Sequence, residues 1–413
     1  MIAPAPPSGP VRYPRRATIF SPPHPAVSIA ASLGAVIALW PCGLPRSGII
    51  SGILTALCVG IATTAALVAT RRRTVRPAAA VAAVAGAAGV LVCMALVSLS
   101  WQNALRTDLG APLVGVSWLG AAVAPATLLF TAIVSLPRIT AMIGATVVAV
   151  AAGYLPAAQA DPPSPPRTPT GVIYGVDDGA SLPDRSRDLA DRWVLAGGLD
   201  LRAVVIAVPT GSGWVDASAV AGYTNRFAGD VAILAGQYAQ VPSWRAFVGD
   251  RSAAGRNAIA LLDEVIGRTE SRPPNRRPQI YLYGQSLGAI GAEDARVWAG
   301  AHRPGAVTET LLAGVPGDAV GDQPGPGARR VVLTNASDPI PRWAPSLIWR
   351  PSRQPQGTVV IGRPVRHPPW LPLVGFLQTS TDLLGSLDGA PGVGHRYGQE
   401  QSSSMSTTSE GSG

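Results

Sequence analysis

Five apolar stretches, near 26–44, 48–69, 78–99, 114–136 and 139–155, occupy most of the first 160 of 413 residues, and no other feature constrains the chain as strongly. Each is about long enough to cross the ~30 Å hydrocarbon core of a bilayer as a helix, the first and last only just. Backbone N–H and C=O groups find no water at that depth, so a span must satisfy its own hydrogen bonds, as a helix does. Pro41 and Pro45 disturb the end of the first stretch, which leaves four spans as the alternative to five. Several spans in succession also rule out a lone N-terminal signal peptide. Ala158-Gln159-Ala160 has the pattern of a cleavage site, but a chance match is expected in so Ala-rich a region.

The formal net charge of +9 suggests a nucleic-acid partner until its distribution is read. Residues 1–160 hold ten Arg against Asp108 alone, while 161–413 hold 23 Arg and 23 acidic residues and are neutral. The excess is the arginine bias of a membrane protein, with no basic face for nucleic acid. Arg12, Arg15 and Arg16 precede the first stretch, Arg71, Arg72, Arg73 and Arg76 follow the second, and Arg138 follows the fourth; the alternate loops carry only Arg46 and Arg106. Five spans then place the N-terminus inside the cytoplasmic (inner) membrane and everything after residue 155 outside; four would keep the C-terminal half inside. The span interiors lack acidic, basic and histidine residues, which favours an anchor in the lipid bilayer over a transporter. Gly86, Gly89, Gly120 and Gly144 suit close helix packing. Cys42, Cys58 and Cys93 all lie in apolar segments, with no disulfide framework and no C-x-x-C spacing. No metal or cofactor is suggested.

A stiff D-P-P-S-P-P-R linker at 161–167 opens a different kind of sequence. Strands are expected at 170–176, 201–208, 231–238, 280–283, 310–314, 330–333 and 358–361, with helices at 181–196, 252–268 and from 289. Alternation with short, continuously apolar strands predicts a mostly parallel sheet covered by helices on both faces. At 279–288 the run Q-I-Y-L-Y-G-Q-S-L-G reads as a buried strand, a sharp turn at G-x-S-x-G and the start of an Ala-rich helix. The pentapeptide alone is weak evidence in a chain with 46 glycines; its strand–turn–helix context makes Ser286 a candidate nucleophile. A Cβ at Gly284 or Gly288 would clash at so tight a turn, and the Leu287 N–H at the helix start can hold an oxyanion.

Partners of Ser286 are sought at the carboxyl ends of strands. Asp338 ends the 330–333 strand run; Asp318 and Asp322 compete from Gly-rich loops that read as solvated. Of four histidines, His24 belongs to the apolar half and His302 reads as surface, leaving His367 in a Pro-rich run and His395 in a Gly-rich loop on equal terms. The order Ser286, Asp338, His395 is the one in which serine, acid and base occur in α/β-hydrolases. The second oxyanion donor is expected in the loop 209–214, at Gly211 and Ser212. The apolar run 370–377 either packs in the core or lines an acyl pocket.

With these residues in place the chain resembles bacterial polytopic membrane proteins carrying a C-terminal α/β-hydrolase domain. P-T-G-S-G-W-V-D at 209–216, Q-Y-A-Q-V-P-S-W at 237–244, Y-G-Q-S-L-G-A at 283–289, S-D-P at 337–339 and G-H-R-Y-G at 394–398 carry the likeness. The resemblance implies Ser286, Asp338 and His395 as the catalytic triad and so selects His395 over His367. Two features depart from it: the family usually has an acidic residue where Gln285 stands, and it carries a longer insertion, often a lid, where this chain has a short Gly/Pro loop between Gly314 and Arg329. The expected organisation is a Pro/Arg-rich N-terminus (1–25), a transmembrane bundle (26–157), a linker (158–169), an α/β-hydrolase domain (170–398) and a disordered tail (399–413). The expected activity is cleavage of an ester, of a lipid or an envelope component, through an acyl-enzyme. The alternatives are acyl transfer by the same residues and a non-catalytic membrane scaffold.

Overall fold

The computed structural model describes residues 22–71, 73, 76–135, 171–239, 249–322 and 327–403. Four apolar helices come first: α1 (Pro25–Ala38), α2 (Gly48–Thr70), α3 (Pro77–Leu109) and α4 (Val116–Ser135). Three of them, α2, α3 and α4, are long and apolar enough to cross a membrane. The first expected span is shorter than predicted, because α1 stops at Ala38 ahead of Pro41. The expected fifth span, 139–155, with Gly144, lies outside the described residues, as does the whole linker, 158–169.

Close approaches fix how these helices run. Gly34 of α1 faces the Cys58 carbonyl of α2, where an added Cβ would come within 2.7 Å. Gly48, Gly52 and Gly60 of α2 meet Trp118 and Ala121, then Pro125, then Leu129 of α4 in ascending order, so α2 and α4 are parallel. Gly86, Gly89 and Gly120 have open space where a side chain would go, contrary to the packing role expected of them. Helix α3 packs on the other three through Leu91 and the buried Ala95 and Ser98, while Val81, Val92 and Leu96 on its outer side are exposed. Its 33 residues reach about 50 Å at 1.5 Å per residue. That exceeds the ~30 Å apolar core, and the last turns carry the polar residues Gln102, Asn103, Arg106 and Asp108.

The C-terminal domain is a seven-stranded, wholly parallel sheet of β1 (Val172–Gly175), β2 (Ala203–Val208), β3 (Val231–Gly236), β4 (Gln279–Gln285), β5 (Val307–Ala313), β6 (Arg329–Asn335) and β7 (Val359–Ile361). The strand order is β1-β3-β2-β4-β5-β6-β7. One face packs on α5 (Leu182–Leu195), α7 (Ser252–Thr269) and α8 (Leu287–His302) through Leu189, Trp193, Leu262, Val265 and Ala292. The other packs on α6 (Ala217–Arg226) through Ala219, Tyr223 and Phe227, together with Tyr397. A sheet covered twice explains why β2 reads A-V-V-I-A-V with no polar alternation. After β6 the chain makes a long excursion, including α9 (Val374–Asp382), before α10 (Glu400–Ser403). The expected disorder past residue 399 therefore begins too early: Gln401 is fully buried, and the rest of the tail lies outside the described residues.

The excursion seats the C-terminal domain on one end of the helices. Arg46, between α1 and α2, is buried and bonds Asp382 Oδ1 through Nε (3.0 Å) and Nη2 (2.8 Å), and Gln378 Oε1 through Nη1 (2.5 Å). Gly43 N–H donates to Asp382 Oδ2 (2.7 Å), and Gln378 Nε2 donates to the carbonyls of Ile37 and Ala38. Asp108 pairs with Arg366 (2.8 Å), and Trp40 Nε1 donates to the Pro369 carbonyl (3.1 Å). The domain thus rests where α1 and α3 end and α2 and α4 begin, opposite Arg71, Arg73 and Arg76.

Candidate active site

The strand order reverses between β2 and β4, and the candidate residues gather at the carboxyl ends of these two strands and their neighbours. Ser286 is the single residue between β4 and α8, with φ 56° and ψ −124°, a left-handed conformation that L-residues rarely adopt and that local structure must enforce. Both flanking positions demand glycine. A Cβ on Gly284 would collide with the Gly288 carbonyl, and one on Gly288 with the Val208 carbonyl at the end of β2. Ser286 N–H donates to the Ala313 carbonyl (3.0 Å) and so hangs the turn from the tip of β5.

Gly314, the next residue along, turns with φ +57° against the imidazole: a Cβ there would stand 2.5 Å from His395 Cε1 and 2.9 Å from Asp338 Oδ2. His395 Nδ1 lies 2.7 Å from Asp338 Oδ2, both residues buried. His395 Nε2 is buried without a hydrogen-bond partner among the described residues, so the Ser286 hydroxyl is not bonded to it in this conformation. Such contacts are often loose without substrate.

Tyr397 and Asn335, which sequence reasoning passed over, and Gln285, which it noted as a departure from the family, hold this pair. Tyr397 Oη donates to Asp338 Oδ2 (2.6 Å) while accepting from Asn335 N–H (3.3 Å). Asn335 Nδ2 donates to the carbonyls of Gly394 (2.9 Å) and Arg396 (3.0 Å), bracketing His395. Gln285 Nε2 donates to the His395 carbonyl (3.0 Å), and its Oε1 accepts from Tyr283 Oη (3.1 Å). A carboxylate at 285 has no proton to give that carbonyl, so an amide is the natural partner here. Gln285→Leu should leave the carbonyl buried and unpaired, costing about 1–3 kcal/mol, and should loosen His395. The check is chemical denaturation alongside the reaction rate of Ser286 with a fluorophosphonate; an unchanged rate would show that the tether does not position His395.

The oxyanion candidates divide. Leu287 N–H begins α8 with no partner inside the helix. In the loop after β2, Thr210 N–H donates to the Trp214 carbonyl and Gly213 N–H to the Thr210 carbonyl, while the amides of Gly211 and Ser212 bond no described residue. Asp216, at the end of this motif, caps α6 by accepting from Ser218 N–H and takes a bond from Gln401 Nε2 (3.0 Å). Burial raises its carboxyl above the usual range, offset in part by those two donors.

Other candidates fall elsewhere. His367 bonds no described carboxylate and lines a separate cavity. His302 stacks on Trp298 at the surface. Asp318 is held by Ser346, Arg350 and the Arg353 N–H rather than free in solvent. Trp343, within the excursion after β6, packs near Leu287 and tilts against Phe376. Among the described residues, the excursion thus places a side chain beside the Leu287 end of the site. Of the 370–377 run, Leu371 and Leu373 are exposed, Trp370 faces the cavity and Phe376 tilts against Trp343, so the run is not part of the sheet's core.

A family model described as "Alpha/beta-hydrolase family" matches residues 172–320 and 318–410, more than half of the chain. The chain belongs to the alpha/beta-hydrolase family. Searches of curated proteins and of solved structures found no match. Membership accounts for the parallel sheet and the turn at Ser286, and supports hydrolase-type chemistry for the alpha/beta-hydrolase domain.

Proposed function

We propose that the protein is a membrane-anchored serine esterase acting on a lipid or envelope ester. The observation that carries this reading is the buried Asp338–His395 pair, held against Gly314 one residue from the strand tip that carries Ser286. His395 Nε2 takes the Ser286 proton as Oγ attacks the acyl carbonyl, and Asp338 keeps Nδ1 protonated and stabilises the imidazolium. Leu287 N–H and an amide at Gly211 or Ser212 hold the oxyanion. Collapse expels the alcohol with the proton from His395, and water then cleaves the acyl-enzyme by the same path. The substrate class rests on the alpha/beta-hydrolase domain sitting on apolar helices in the lipid bilayer.

The docking also supports a sidedness. The domain rests at the helix ends opposite Arg71, Arg73 and Arg76, and arginine marks the cytoplasmic side. In the cytoplasmic (inner) membrane this puts the domain outside and calls for an odd number of crossings before residue 171. Arg46 and Arg106, the two arginines on the wrong side for the bias, bond Asp382 and the carbonyls of Arg46 and Pro112, respectively. A membrane-impermeant maleimide on intact cells should reach a cysteine placed at exposed Asp388; labelling only after lysis would put the domain inside.

The test of the chemistry is fluorophosphonate labelling of full-length protein in membranes. Wild type and His367→Ala should label, and Ser286→Ala and His395→Ala should not. Folded wild type that fails to label would return the domain to the non-catalytic scaffold reading.

A further inference from the structure

A cavity of about 260 Å³ lies between the helices and the alpha/beta-hydrolase domain, far more than the roughly 10–15 Å³ a single buried water needs. Its walls come from Trp40, Pro41 and Gly43 on one side, and from Ser337, Arg342, His367, Trp370 and α9 on the other. Arg342 is the unusual element. Among the other half-buried or buried arginines, Arg46 has Asp382, and Arg296 and Arg330 share Glu293, whereas Arg106 bonds the carbonyls of Arg46 and Pro112 and lines no cavity with Arg342. Arg342 forms no ion pair with any described carboxylate; Nη2 donates to the Ala336 carbonyl, and Nη1 lies 3.3 Å from where a Gly43 side chain would begin. The two acids near it are committed, Asp382 to Arg46 and Gly43 N–H, and Asp338 to His395 and Tyr397.

Burial lowers the pKa of both Arg342 and His367, and the Arg342 charge adds to the effect on His367. The Ser337 hydroxyl, which accepts from Gly394 N–H, keeps its proton for a ligand. Depth is marked as well. Trp40 and Trp370 are the side chains that prefer the bilayer interface, and the same excursion exposes Trp349, Leu371 and Leu373. A guanidinium with no ion pair of its own, in a partly open cavity at head-group level whose one lining carboxylate, Asp382, is already bonded to Arg46, fits an oxyanion carried on apolar chains.

We propose that this cavity is a binding site for the phosphate head group of a membrane phospholipid, with Arg342 as the primary contact and Ser337 and His367 beside it. The bound lipid would cement the domain to the helices through the loop that follows Asp338. The site does not depend on catalysis at Ser286.

The experiment uses full-length Ser286→Ala protein in uncharged detergent, titrated by tryptophan fluorescence with dihexanoyl phosphatidylglycerol, with dihexanoylglycerol lacking the phosphate, and with inorganic phosphate. Saturable binding is expected for the phospholipid alone, weakened at least tenfold in Arg342→Gln and largely kept in Arg342→Lys. Loss of the signal change in Trp370→Phe places it at the cavity. Equal binding of the phosphate-free diacylglycerol, or undiminished binding by folded Arg342→Gln, would overturn the proposal. Binding of inorganic phosphate as tight as that of the phospholipid would overturn the lipid assignment and leave a free-anion site. Because the protein tested is already inactive at Ser286, none of these outcomes bears on the esterase reading.

Discussion

Exchanging Asp338 for Asn should slow acylation of Ser286 by about 10⁴-fold while leaving the fold intact. The carboxylate accepts from His395 Nδ1 and from Tyr397 Oη at the same oxygen, Oδ2. Asparagine can turn its oxygen to only one side. If its amide N–H faces Nδ1, the imidazole takes the wrong tautomer and Nε2 cannot accept the serine proton. The rate of fluorophosphonate labelling measures this, and near-ultraviolet circular dichroism shows whether the fold survives. A variant that keeps its rate within tenfold would remove Asp338 from the mechanism. Attention would then move to Asp216, the other buried carboxylate whose charge His395 feels.

The second large effect is expected at the seam between the domains. Asp382→Ala strands the Arg46 guanidinium in a buried site, which costs about 3–5 kcal/mol. Thermal unfolding in detergent should move down by several degrees. Cys42 reports the same event locally. Its thiol is buried, with a pKa pushed up to about 11 by that burial against the opposing pull of Arg46, so it should resist alkylation at pH 8 in the wild type. In Asp382→Ala it should react. The double change Arg46→Met with Asp382→Leu removes both charges and should recover most of the lost stability. An unaltered unfolding midpoint in Asp382→Ala would mean that the two parts do not depend on this pair.

Much of this architecture was legible in the sequence, because local rules govern those parts. Each expected strand is present to within a few residues, since a sheet buried on both faces requires unbroken apolar runs. The turn at Ser286 was legible for a steric reason: Gly284 and Gly288 are the residues that can touch the backbone there. What escaped was non-local. Nothing near Gln285, Asn335 or Tyr397 in the chain says that their partners lie 59 to 110 positions away around His395. The choice between His367 and His395 likewise needed either a resemblance or the strand-end geometry. Helix α6 was overlooked because its 10 residues mix Gly, Tyr and Asn with Ala, and its capping Asp216 looked like loop chemistry. The packing glycines were misjudged because a glycine in a helix has no signature for the side its neighbour lies on. Gly34 and Gly60 touch other helices, and Gly86 touches none.

The late place of His395 in the chain has a consequence for how activity arises during synthesis. All seven strands, Ser286 and Asp338 are translated before the segment Gly394–Gly398, and Gln401 closes the buried bonds to Tyr283 and Asp216 later still. On the proposed reading, a nascent chain that ends short of residue 395 has every strand and Ser286 but not the base that would activate it. By then the apolar helices have long left the ribosome. On that reading, reactive chemistry is withheld until the chain is nearly complete, by nothing more than the order in which its residues are made.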